Sequence, residues 1–221
     1  MKKKLVLFGA SEHTKLVHYY FSHYSNYEIA GFVADREYVT TDRMMELPLI
    51  NFDQVETQFP PDQYDMFVAI GYRSTNTLRA SKYALAKQKG YHLATFVHPS
   101  SYIDPSVRIG DNCLVLENCI LQPFVTIGDN VIIWSGAHLG HHSCVDHHCF
   151  LAPRVALSGH VTVHEQSFIG INSTIRDHVT IAARNIIGAG STILQNTSVG
   201  EVYKANSPFK LEISSDQVKN I

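Results

Sequence analysis

The sequence has no long apolar run, no surplus of either charge and no paired-cysteine motif. Lys2-Lys3-Lys4 precedes only the short stretch Leu5–Phe8, too brief for a signal-peptide core, and nothing later approaches the length of a membrane span. A formal net charge of −2 provides no global field for nucleic acid or an anionic membrane. Four cysteines without a Cys-x-x-Cys pair give neither a zinc-finger nor a redox signature. These absences lead us to expect a soluble, cytoplasmic protein without a nucleic-acid or membrane partner. Its 221 residues suffice for one large domain or two small ones. Histidine is the residue in excess: of 13, eight lie between His138 and His178.

The second half repeats with a period of six. From Ile103 to Val199 every sixth residue is Ile, Leu or Val, 17 positions in all. These types make up 53 of 221 residues, so chance would fill about four of the slots. Strand side chains alternate faces, so the residue two before each aliphatic shares its side. Those positions are small almost throughout (Cys113, Cys119, Ala137, Ser143, Cys149, Ser167, Ser173), as a tight corner requires. That reading gives Cys113, Cys119 and Cys149 inward structural roles and puts Cys144 on the other face. Glycine often follows the aliphatic (Gly110, Gly128, Gly140, Gly170, Gly188, Gly200), where we expect the chain to turn. This is the hexapeptide β-helix pattern, with three faces of six residues per 18-residue coil and roughly five and a half coils over 103–201.

The first hundred residues alternate strand and helix signals. Strands are expected at 3–8, 28–33, 65–70 and 92–97, with helices at 16–21 and 76–89, which implies a small parallel α/β domain. The expected boundaries are an α/β domain over 1–97, a β-helix over 98–201 and a tail over 202–221. The loop after the first strand has one glycine where a dinucleotide fingerprint has three, so that motif is weak. A helix N-terminus after a strand still offers a phosphate site.

Stacking at 18 residues converts sequence into geometry, because equivalent positions one coil apart lie about 4.8 Å apart. His141 therefore falls beside Gly159, with Asp177 continuing the column. A base next to an approachable glycine amide suits acyl transfer. The next column holds His142, His160 and His178, which could instead ligate a metal or simply form an exposed polar edge. His147, His148 and His164 read as surface residues.

Gly9-Ala-Ser-Glu-His13-Thr-Lys15 resembles the Gly-x-x-Gly-His-x-Lys start of bacterial nucleotide-amino-sugar N-acetyltransferases and sialic-acid O-acetyltransferase-like proteins, among them the bacillosamine and perosamine acetyltransferases. The segments 140–146, 157–161 and 168–174 are similar to the same family's catalytic and CoA-binding region. The likeness extends from about Lys3 to Pro208. It implies a Rossmann-like domain followed by a left-handed β-helix, assembled as a homotrimer with active sites between subunits. It implies acetyl-CoA as co-substrate, no metal, and a nucleotide-linked amino-sugar as acceptor, acylated on an amino group taken to be the 4-amino, for bacterial glycan, O-antigen or glycoprotein-sugar synthesis. His141 takes the base's place, with His142 as the alternative. Gly159 would meet the thioester carbonyl, and pantetheine would run along Ile171 and Gly188-Ala189-Gly190. The nucleotide-sugar would lie near Gly9, Ser11, His13, Lys15, Asp35, Gly71, Tyr72 and Arg73.

The chain departs from the family at four places. His142 stands where a carboxylate often follows the base, Trp134 where an asparagine is common, Phe150 where many members have histidine, and Glu12 at the second glycine. The orienting partner of His141 is left open between Asp177, Glu117 of a neighbouring subunit and no charged group. Transfer to a sugar hydroxyl is the alternative within the class. A γ-carbonic-anhydrase-like metalloenzyme and a non-catalytic trimeric scaffold are the alternatives outside it. The first fails to close its triad, because Ser106 and Ala183 occupy the positions where the third histidine is needed.

Overall fold

The computed structural model describes residues 3–205. The N-terminal unit contains β1 (Lys3–Phe8), α1 (Glu12–Tyr24), β2 (Tyr27–Ala34), β3 (Arg43–Met44), β4 (Leu47–Asn51), α2 (Val55–Gln58), β5 (Tyr64–Val68) and α3 (Thr77–Gln88). Its sheet has the order β3-β4-β2-β1-β5, parallel except for the β3–β4 hairpin. The alternation of strand and helix anticipates this unit, but the hairpin left no period-2 signal to read. The segment 92–97, expected as a last strand of this sheet, contributes only an isolated bridge from Leu93 to Met66. Its end, Phe96–Val97, pairs with Leu114–Val115 and so opens the helix two residues before the expected boundary.

The second unit is a left-handed parallel β-helix of three faces. The first face carries Phe96–Val97, Leu114–Val115, Ile132–Ile133, Phe150–Leu151, Phe168–Ile169, Ile186–Ile187 and Val202–Tyr203. The second carries Tyr102–Ile103, Ile120–Leu121, His138–Leu139, Ala156–Leu157, Thr174–Ile175 and Thr192–Ile193. The third carries Arg108–Ile109, Thr126–Ile127, Cys144–Val145, Thr162–Val163 and Thr180–Ile181. Rungs pair 18 residues apart, for example Ile120 with His138. The hexad aliphatics from Val115 to Ile193 form one buried core, together with Cys113, Cys119 and Cys149.

Two expectations change. Val199, the last hexad residue, is 59% exposed, because Ile186 pairs with Val202 and the final coil is two residues shorter than the repeat. Of the six glycines after the aliphatics, only Gly200 has left-handed backbone (φ +77°). Every sixth residue from Asn112 to Gly190 is in the left-handed region, and 12 of these 14 are not glycine. Asparagine and histidine tolerate that region better than most residues, which gives His142, His148, His160 and His178 a backbone reason to be there. Gly110, Gly128, Gly140, Gly170 and Gly188 serve close approach instead. A Cβ on Gly140 would lie 2.5 Å from the Ser158 carbonyl carbon.

The N-terminal unit docks on the first face of the helix. Leu5, Leu7, Val17, Tyr20 and Phe21 share a core with Leu114, Leu116, Ile132, Phe150 and Ala152. Arg79 of α3 is fully buried there, its Nη2 donating to the carbonyls of Cys149 (2.9 Å), Asn130 (3.1 Å) and His148 (3.3 Å). At the same corner Asn112, Asn130 and His148 form a hydrogen-bonded column, with Nδ2 of Asn112 donating to Asn130 at 2.8 Å and Asn130 Nδ2 meeting His148 Nδ1 at 2.9 Å. His148 is therefore a half-buried packing residue. Desolvation, then the Arg79 charge, lowers its pKa to about 4.

Candidate active site

His141 lies on the corner between the second and third faces, where the chain passes from His138–Leu139 to Cys144–Val145. Its exposed imidazole lies over Gly159 one coil on: a Cβ there would be 2.7 Å from Cε1 and 2.9 Å from Nε2. The spacing of 18 had predicted this adjacency. Asp177, two rungs from His141 and so about 9–10 Å away, is too far to orient it.

The neighbour that does meet the ring is His142, with the two Nδ1 atoms 3.1 Å apart. Such a pair shares one proton. When His141 donates from Nδ1, its Nε2 carries the lone pair and faces Gly159, the tautomer a base requires. His142 begins a ladder: its ring stacks on His160 at 4.7 Å and 11°, and His160 on His178 at 4.7 Å and 6°.

The backbone amides on this corner differ in a useful way. The His141 N–H donates to Gln122 Oε1 at 2.9 Å. One coil later the residue in the Gln122 position is Gly140, which has no side chain to offer, and the Gly159 N–H finds no acceptor among the described residues. A free amide beside a basic nitrogen is the arrangement that grips a carbonyl while its attacker loses a proton.

The residues expected to hold the acceptor surround a cavity of about 620 Å³ in the N-terminal unit. Gly9, Ser11, His13, Asp35, Gly71, Tyr72 and Arg73 all line it. Lys15 does not; its ammonium is paired with Glu12 at 2.6 Å. Gly9 has φ +144°, and a Cβ on it would meet Thr14 Oγ1 at 2.3 Å, so the turn admits only glycine. Ser11 caps α1 through a reciprocal pair with Thr14. Asp35 is held by Lys82 at 2.6 Å. The Tyr72 ring packs on Phe150 and Phe168 (centroids 4.9 and 5.0 Å apart), which joins the cavity to the first face of the helix.

His13 is the most perturbed group of the cavity. Desolvation, then the Arg79 charge, lowers its pKa to about 4, so it is neutral at physiological pH. Its Nε2 has no hydrogen-bond partner among the described residues, nor has the neighbouring Trp134 Nε1. Nothing in the sequence signalled Arg79, whose burial depends on how the two units meet.

Ile171 and the 188–190 segment stand on the corner between the first and second faces, one face away from His141. The Gly190 N–H donates to the Ile171 carbonyl at 2.8 Å. Ile171 is 44% exposed, and Gly188 is covered by Tyr203 of the last strand. Glu117 occupies this same corner with its oxygens taken by Tyr20 Oη and Ser135 Oγ; these hydrogen bonds outweigh burial and hold its pKa below the usual value.

The comparisons agree with this architecture. Residues 4–85 match the PglD N-terminal domain, and residues 106–141 and 160–195 match the bacterial transferase hexapeptide (six repeats). The acetyltransferase domain of PglB from Neisseria gonorrhoeae, solved in complex with acetyl coenzyme A, is 28% identical with a TM-score of 0.82, covering 91% of this chain and 96% of that one. PerB from Caulobacter crescentus, in complex with CoA and GDP-perosamine, is 28% identical with a TM-score of 0.78, covering 91% of each chain. WeeI from Acinetobacter baumannii, at 18% identity and a TM-score of 0.70, shares the fold. No curated protein sequence matches. A PglD N-terminal domain followed by bacterial transferase hexapeptide repeats, matched together over most of the chain, places it in the bacterial nucleotide-amino-sugar N-acetyltransferase and sialic-acid O-acetyltransferase-like family of hexapeptide acyltransferases.

Proposed function

We propose that the protein transfers the acetyl group of acetyl-CoA to the amino group of a nucleotide-linked amino-sugar, with His141 as base. The observation that carries this reading is the His141 imidazole over Gly159, whose amide is left without an acceptor. The neutral sugar amine attacks the thioester carbon while Nε2 of His141 takes its proton. The Gly159 N–H steadies the tetrahedral oxyanion. Collapse breaks the C–S bond, and the imidazolium returns the proton to the departing thiolate. The products are the N-acetylated sugar and CoA.

His142 is the positioning residue in this scheme. As acceptor from His141 Nδ1 it leaves the lone pair on Nε2, the role a carboxylate fills elsewhere in the family. The cavity, with neutral His13 and the Tyr72 and Arg73 edge, holds the nucleotide-sugar. Ile171 and Gly188–Gly190 accompany pantetheine.

The site requires more than one chain. The cavity abuts the first face of the helix, and His141 stands on the corner opposite that face. A protomer's own base is therefore across the prism from its own sugar pocket. In the homotrimer we propose, a neighbouring copy turned about a three-fold axis would supply its second-to-third-face corner to the cavity, giving active sites between subunits. No helix among the described residues is long and apolar enough to cross a membrane.

Release of free thiol from acetyl-CoA, measured against UDP-, dTDP- and GDP-linked 4-amino-sugars and their hydroxyl counterparts, tests the proposal. Rapid release with one amino-sugar and none with its hydroxyl counterpart is expected. Faster release with the hydroxyl would make the protein an O-acetyltransferase, and no release from an assembled trimer would reject acyl transfer to these acceptors.

A further inference from the structure

The same corner concentrates imidazoles beyond what proton transfer needs. His141, His142 and His160 are all exposed, and one nitrogen from each lies within 4.8 Å of the others. The two Nδ1 atoms of His141 and His142 are 3.1 Å apart. Two ligands bound 2.0–2.1 Å from one tetrahedral metal are separated by about 3.3 Å, so this pair already stands at chelating distance. The His160 ring crosses that of His141 edge-on at 5.2 Å and lies parallel to that of His142 at 4.7 Å. Parallel rings cannot both aim an in-plane lone pair at one ion, so His160 must rotate out of its stack on His142 to complete the site, a rotamer change open to an exposed ring. His178, stacked on the far side of His160, lies outside the cluster.

The donor set also has the chemistry to select its ion. Neutral imidazoles are ligands for borderline ions such as Zn²⁺, Ni²⁺, Co²⁺ and Cu²⁺, and poor ones for Mg²⁺ or Ca²⁺. A single divalent ion satisfies three lone pairs with one centre of charge.

We infer that His141, His142 and His160 form a binding site for a divalent transition-metal ion of the Zn²⁺ class, and that its occupation blocks the enzyme. A metal on Nδ1 of His141 forces the remaining proton onto Nε2, the nitrogen that must accept the substrate's proton. The bound ion is thus an inhibitor acting through the base, with a fourth coordination position left to water.

The metal site itself does not depend on the proposed reaction; only its inhibitory consequence rests on that reading. The intact protein is therefore titrated with Co²⁺, followed by visible absorption, and with Zn²⁺ by calorimetry, alongside thiol release with and without Zn²⁺. The expected result is one ion per chain, Zn²⁺ inhibition reversed by a chelator, and at least a tenfold loss of affinity in His160→Ala with metal-free activity unchanged. His178→Ala should retain the affinity. The absence of saturable binding, or equal affinity in wild type and His160→Ala, would overturn the site. Stoichiometric binding that depends on His160 but leaves turnover untouched would keep the site and refute its inhibitory role, pointing to a fault in the assignment of His141.

Discussion

Gly159→Ala isolates the contact on which the proposed chemistry depends. The added Cβ would lie 2.7 Å from Cε1 and 2.9 Å from Nε2 of His141. Non-bonded carbons are comfortable at about 3.5–4.0 Å, so the ring must retreat by roughly 0.8–1.3 Å. A misplacement of about 1 Å at a reacting group can cost 10²-fold. The expected loss in kcat is therefore about 10- to 100-fold, or about 1.4–2.7 kcal/mol in the barrier. Folding should hardly change, because the clash is with an exposed side chain and Gly159 is not among the residues with positive φ. Gly140→Ala supplies the contrast, since its Cβ would strike the Ser158 backbone at 2.5 and 2.6 Å and disturb the stacking of coils. Thiol release gives kcat, calorimetry with CoA gives binding, and thermal denaturation gives stability. Full turnover in Gly159→Ala would refute the placement of the base. An equal fall in melting temperature for both variants would show that the glycine serves packing instead.

Other tests address neighbouring residues. His141→Ala should lower turnover by about 10²–10⁴-fold while CoA affinity, measured by calorimetry, is retained. His142→Ala should reduce kcat by about 10–100-fold, whereas His142→Asp, an obligate acceptor for the His141 Nδ1 proton, should restore it; equal rates in the two variants would exclude a tautomer-setting role. His13 and His148 titrate near 4 in the fold against about 6.5 when unfolded, so below pH 6.5 the unfolded chain gains protons that the native state refuses. Stability should accordingly fall between about pH 6.5 and 4, by up to about 3 kcal/mol from His13, and His13→Gln should flatten the urea-melt profile over that window. Arg79→Ala should cost several kcal/mol by leaving the Cys149 and Asn130 carbonyls without this donor, while Arg79→Met, which fills the space without a buried charge, should cost far less in the same melts.

The β-helix was legible because each coil repeats one local demand: an aliphatic residue every sixth position and a small partner two before it. Fixed spacing then placed His141 over Gly159 without any tertiary information. The cavity was legible through its loops, Gly9–His13 and Gly71–Arg73, although Lys15 turned away to pair with Glu12. A subtler signal was also present. The outward residue beside each aliphatic is apolar on every third repeat (Leu114, Ile132, Phe150, Phe168, Ile186), and this 18-residue stripe marks the face that the N-terminal unit covers.

Other features could not be seen until the chain was folded. Left-handed backbone at every sixth residue is spread over Asn, His, Arg, Gln and Phe, so it leaves no single-residue signature, and the glycines that drew attention were conserving space between coils. The shortened last coil shows only as a break in pairing, because Val199 keeps the hexad's residue type after the geometry has changed. The depressed pKa values of His13 and His148 come first from burial where the two units meet and then from Arg79, contributed by a helix 51–70 residues from the carbonyls it binds. The sequence by itself determined the solenoid, its period and the column that sets His141 beside Gly159, because these follow from nearest-neighbour stacking. Tertiary structure alone decided which nitrogens meet, which amide lacks an acceptor among the described residues and which corner faces away from the N-terminal cavity, because these depend on side-chain direction and on the docking of two units that share no period.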